Sequence, residues 1–111
     1  MTENELIDET VDFYGEDPAG RRAKGVHGIC EYITAEGRRC AVGRCLQGTL
    51  EYLESLDFEK ILRKVKPEYT GFSKLFWNAL QRLHDEDHHW GVKGLTDRGK
   101  KFVDKMKEGY L

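Results

Sequence analysis

The sequence predicts an α+β fold, a short antiparallel β-hairpin packed against about four α-helices in a single domain, residues 1–111. Three observations carry this. Apolar residues recur at helical spacing through most of the chain. Capping residues stand before those runs. One block, residues 28–46, reads as β structure and holds all three cysteines.

Thr2 followed by Glu5 is a capping-box pattern and starts a first helix. Leu6, Ile7, Thr10, Val11, Phe13 and Tyr14 give that helix its apolar stripe, and Gly15 and Pro18 end it. Residues 15–28, with four glycines, read as a loop or as one helical turn after Pro18. Residues 30–34 and 38–42 then read as two strands around Ala35-Glu36-Gly37, a three-residue connection suited to a glycine bulge. That register pairs Tyr32 with Cys40 and Cys30 with Val42. It leaves Cys30 and Cys40 as diagonal neighbours, roughly 7–8 Å apart. The distance is wide for a disulfide and open to shared metal ligation. Residues 46–62 read as a helix broken near Asp57. Pro67, Thr70 and Gly71 form a loop, and Ser73 caps a helix that turns Leu75, Phe76, Ala79, Leu80 and Leu83 to the core. Trp90-Gly91-Val92-Lys93-Gly94 is a turn, and Thr96 caps a last helix carrying Phe102, Val103 and Met106.

Composition narrows the function classes. Eighteen basic residues against 20 acidic ones give a formal net charge of -2, which argues against a whole-surface polyanion binder and leaves local patches. No apolar run approaches the roughly 20 residues of a membrane span. The acidic Met1-Thr2-Glu3-Asn4-Glu5 start is unlike a secretory signal, so a cytoplasmic location is expected, with reduced cysteines.

The pattern Cys30-x-Tyr32, a glycine turn, then Cys40-Ala41-Val42-Gly43 resembles a group of small uncharacterised proteins of tailed bacteriophages and prophages. So do Leu80-Gln81-Arg82-Leu83-His84-Asp85, Trp90 and Gly94-Leu95-Thr96-x-x-Gly99. The resemblance covers roughly half of the chain. It implies a phage accessory protein acting in the host cytoplasm on host machinery or defence. It carries no assigned activity.

Four groups of residues are candidate sites. Cys30, Cys40 and Cys45, with His27 or His84 as fourth ligand, offer a zinc set, although spacings of nine and four intervening residues are not those of paired zinc knuckles. The competing account is that these cysteines simply pack in a core. His84, Asp85, His88 and His89 form a second cluster, read as a helix end whose histidines meet the negative dipole rather than as a metal site. Cys30, Tyr32, Cys40, His84 and Asp85 are pocket candidates, with His84 and Asp85 able to activate a thiol. The fourth group is a basic patch of Arg21, Arg22, Lys24, Arg38, Arg39 and Arg44. Its structural counterpart is a solvated strand edge.

No coherent catalytic set emerges. The leading expectation is therefore non-catalytic binding of a host protein through Arg38, Arg39, Arg44 and the exposed aromatics Trp90 and Tyr110. The alternatives are nucleic-acid binding through the hairpin arginines, and a nucleotide or small-molecule pocket around Cys40, His84 and Asp85.

Overall fold

A computed structural model of the chain describes residues 1–22, 38–47 and 58–109. Helix α1, Glu3–Glu16, starts at the expected capping box: the Thr2 hydroxyl accepts from the Glu5 N–H at 3.1 Å, and the Glu5 carboxylate accepts from the Thr2 N–H at 3.0 Å. Leu6, Ile7, Thr10 and Tyr14 fall on its buried face. Asp17 closes this helix and opens the next, its side chain accepting from the Gly20 N–H. With Pro18 in the first position, a single turn follows as α2, Pro18–Arg21.

Of the expected strand over residues 38–42, a single bridge residue, Arg39, is β-paired. The chain turns at Ala41 and Val42 into a 3₁₀ turn, Gly43–Cys45. Side chains from two helices engage backbone groups of this segment: the Tyr14 hydroxyl donates to the Arg39 carbonyl at 2.5 Å, and the Gln81 side chain accepts from the Val42 N–H at 3.2 Å. The Arg44 N–H then closes locally onto the Cys40 carbonyl at 3.0 Å. The expected partner strand, residues 30–34, lies outside the described residues, as do Cys30, Tyr32 and the register between them and Cys40.

Leu46 is extended rather than helical and pairs with Val65 in an antiparallel bridge, flanked by Gln47 N–H to Lys64 carbonyl and Lys66 N–H to Cys45 carbonyl bonds, each 2.8 Å. The helix expected over 46–62 is present as α3, Phe58–Leu62, and residues 48–57 lie outside the described set. Pro67–Tyr69 forms a 3₁₀ turn, and Ser73 caps α4, Lys74–Asp85, by accepting from the Phe76 N–H. Phe76, Trp77, Ala79, Leu80, Leu83 and His84 form its buried arc. At about 100° per residue, Trp77 lies inside that arc and Leu75 outside it, so Leu75 is 68% exposed instead of facing the core.

After a 3₁₀ turn, Asp87–His89, the segment read as a turn is an antiparallel hairpin. Its strands are β1, Trp90–Gly91, and β2, Gly94–Leu95, with Trp90 opposite Leu95 and Gly91 opposite Gly94. Gly94 adopts φ 112°, a backbone conformation that favours glycine, and packs beside Gly15 of α1, where a Cβ would meet the Gly15 carbonyl at an ordinary contact distance of 3.4 Å. Thr96 caps α5, Asp97–Glu108, which packs against α4 and the Asp87–His89 turn. The described residues therefore make an α+β fold of five helices and one two-stranded hairpin. Its core joins Tyr14, Trp77, Leu80, Leu83 and Trp90 to Cys40, Val42 and Leu46. No helix among the described residues is long and apolar enough to cross a membrane.

Candidate functional site

Of the expected Cys40–His84–Asp85 pocket, Cys40 and His84 are fully buried and Asp85 is half-buried. The Tyr14 ring meets the His84 ring edge-on at 5.0 Å. His84 Nδ1 lies 2.7 Å from the Asp85 carboxylate, which also accepts from Gln81 Nε2 at 2.8 Å. The orienting contact that a nucleophilic pair needs is thus present, but the thiol is not activated. Burial pushes Cys40 up to about 12, against the opposing pull of the Gly43 N–H that donates to its Sγ at 3.2 Å. Cys45 is likewise pushed up to about 12 by burial, and its thiol donates to the Ala41 carbonyl. The thiolate is the nucleophile, so both sulfurs sit in an environment that opposes nucleophilic chemistry at neutral pH.

Cys40, Cys45 and His84 also form no three-ligand group among the described residues. The group whose potential ligand atoms lie within 4.8 Å of one another is Glu86, His88 and His89.

Two residues expected at the surface belong to the frame. Trp90, expected exposed, is 7% exposed, and its indole N–H donates to the Leu83 carbonyl at 2.7 Å. Arg22, expected in the basic patch, is buried against the end of α4. Its Nε donates to the His84 carbonyl at 2.7 Å, and one Nη2 donates to the Asp85 carbonyl and the Asp87 carboxylate at 2.9 and 3.0 Å. A cation there satisfies carbonyls that a helix end leaves open and complements its dipole. Tyr110 lies outside the described residues.

The rest of the basic patch converges. Arg21, Arg38, Arg39, Arg44 and Lys66 line a cleft of about 660 Å³ together with Phe13, Gly20 and Leu46. The Arg44 guanidinium lies over the Phe13 ring at 3.8 Å and that of Arg21 at 4.6 Å. Arg21 is braced further by the Phe13 carbonyl at 2.8 Å and Glu16 at 3.0 Å, and Arg44 by a two-pronged pair with Glu9. Arg39 donates to the Gly43 carbonyl at 3.1 Å, and Arg38 reaches the Ala19 carbonyl at 3.4 Å. Neighbours on a regular strand would point to opposite faces, but Arg38 and Arg39 both line this cleft.

Sequence reasoning missed Phe13, Leu46 and Lys66 as cleft residues. Lys66 stands in the sequence close to Lys60, Arg63 and Lys64, and nothing local marks it as different from a solvated cation. The backbone bond from Lys66 to Cys45 brings it beside the arginines. The cleft is interpreted from its own chemistry, because the chain matches no family model, no curated protein and no solved structure.

Proposed function

We propose that this protein is a non-catalytic binding protein that docks an acidic segment of a protein partner in the arginine-lined cleft. The observation that carries the reading is the convergence of five cations on one concavity, two of them stacked over the Phe13 ring. Arginine and aromatic residues dominate binding hot spots, and pre-braced guanidiniums lose little freedom when they bind a carboxylate. The sequence resemblance to phage accessory proteins supports a host protein as the class of partner.

Charge around the cleft favours a short acidic segment over nucleic acid. The adjoining surface groove is lined by Glu5, Asp8, Glu9, Asp12 and Glu16 on α1. An extended phosphate backbone running past the cleft would meet that carboxylate row, whereas a compact acidic peptide need not. The buried, protonated Cys40 and Cys45 thiols support a non-catalytic role.

Binding of an aspartate- and glutamate-rich peptide and of a single-stranded oligonucleotide of equal charge tests this, with Lys66→Glu and Arg38→Glu as variants. The peptide is expected to bind more tightly. Each reversal should weaken it about tenfold, the scale of one charge-assisted hydrogen bond. Tighter oligonucleotide binding with a steep salt dependence would establish the nucleic-acid alternative instead. Peptide binding unchanged in both variants would remove the cleft as the site.

A further inference from the structure

We infer that Glu86, His88 and His89 form a binding site for a divalent transition-metal ion of the zinc class, where the end of α4 runs into the hairpin. Their potential ligand atoms lie within 4.8 Å of one another, and His89 Nε2 is 3.8 Å from Glu86 Oε1. Ligands about 2.0–2.1 Å from one tetrahedral ion stand about 3.3 Å apart. Small torsional shifts of His88, which is exposed, and of the half-buried Glu86 close that difference.

Three features build the site. His89 Nδ1 lies 3.3 Å from the Leu83 carbonyl, which can only accept, so Nδ1 carries the proton. The lone pair is left on Nε2, the atom nearest Glu86. A backbone carbonyl on the far ring nitrogen is the common outer partner of a metal-binding histidine. The His89 ring is 2% exposed and lies against Phe102 at 4.5 Å, so its orientation is set before an ion arrives. The backbone under both histidines is also held: Thr96 Oγ1 donates to the His88 carbonyl at 2.5 Å, and the Thr96 N–H donates to the His89 carbonyl at 2.9 Å.

Three protein ligands leave a fourth position for solvent on the exposed His88 side. Arg82, 3.5 Å from the Glu86 carboxylate, competes with the ion for that ligand. The group shares no residue with the basic cleft, so it stands or falls independently of the proposed function.

Tag-free protein stripped with chelator and titrated with Zn²⁺ by calorimetry, and with Co²⁺ by absorption, tests the site. One equivalent is expected, with a cobalt spectrum lacking sulfur-to-metal charge transfer. His88→Gln, at an exposed position, and Glu86→Gln, a near-isosteric change at a half-buried one, should each weaken binding at least about tenfold while circular dichroism stays unchanged. Absence of saturable binding overturns the inference. So does binding undiminished in both variants, or a thiolate spectrum, since either places the ion elsewhere.

Discussion

Cys40 and Cys45 show what burial does to a reactive side chain. Both are pushed up to about 12, with loss of hydration as the main cause. Both should therefore alkylate more slowly in the folded protein than free cysteine at neutral pH, and at the free rate once unfolded; mass spectrometry of a labelling time course reads this directly. The same shift makes stability depend on alkaline pH. The folded thiols keep protons that the unfolded chain gives up near its ordinary value of about 8.5. Their contribution is complete below that value and is lost as pH rises toward 12. Denaturant midpoints should fall between about pH 8 and 10, and more shallowly in Cys40→Ala. The cysteines' preference for the core was legible in residue type alone. That Cys40 is buried beside the Asp85 carboxylate, which raises its value further, was not.

Among the elements, helices announced themselves because their signals are local. Thr2-x-x-Glu5, Ser73 and Thr96 each cap the helix expected of them. Thr96 does more: its hydroxyl accepts from the Gly99 N–H at 3.2 Å while donating to the His88 carbonyl. Gly99 itself has no room for a side chain, since a Cβ would stand 2.3 Å from the His89 carbonyl. Thr96→Ala loses the cap and the tie to the Asp87–His89 turn together, and should cost about 2 kcal/mol in chemical denaturation, against about 1 for Thr2→Ala. Equal costs would mean that the tie to His88 adds nothing. The hairpin was not legible, because strands of two residues are too short to display alternation. Its turn residues were visible in Trp90-Gly91-Val92-Lys93-Gly94; its pairing depends on Trp90 anchoring to Leu83 and on α1 backing Gly94.

Across the whole molecule, Arg22 joins segments far apart in the chain by placing its guanidinium on the His84 and Asp85 carbonyls. Arg22→Met keeps the aliphatic stem and removes these bonds, leaving the end of α4 without its cation. A loss of at least about 2 kcal/mol is expected from unfolding curves. A loss below about 0.5 kcal/mol would show that water replaces the guanidinium without penalty. Most of this cost should come from the two carbonyls rather than from Asp87, whose side chain is 81% exposed and well screened.

The sequence by itself determined the capped helix starts and the presence of a basic patch, and it pointed to the α+β class, although the hairpin of the described residues, Trp90–Leu95, is not the one expected. Each of these is a property of residues close together in the chain, where helical periodicity and capping act. Tertiary structure alone decided which members of that patch share a cleft and which, like Arg22, are buried. It also decided that Trp90 is an anchor instead of an exposed aromatic, and that Cys40 and His84 are core. Burial and charge convergence are set by partners many residues away. Tyr14 and Gln81 engage backbone groups of Arg39 and Val42, and Arg38 and Arg39 of the same segment line the cationic cleft.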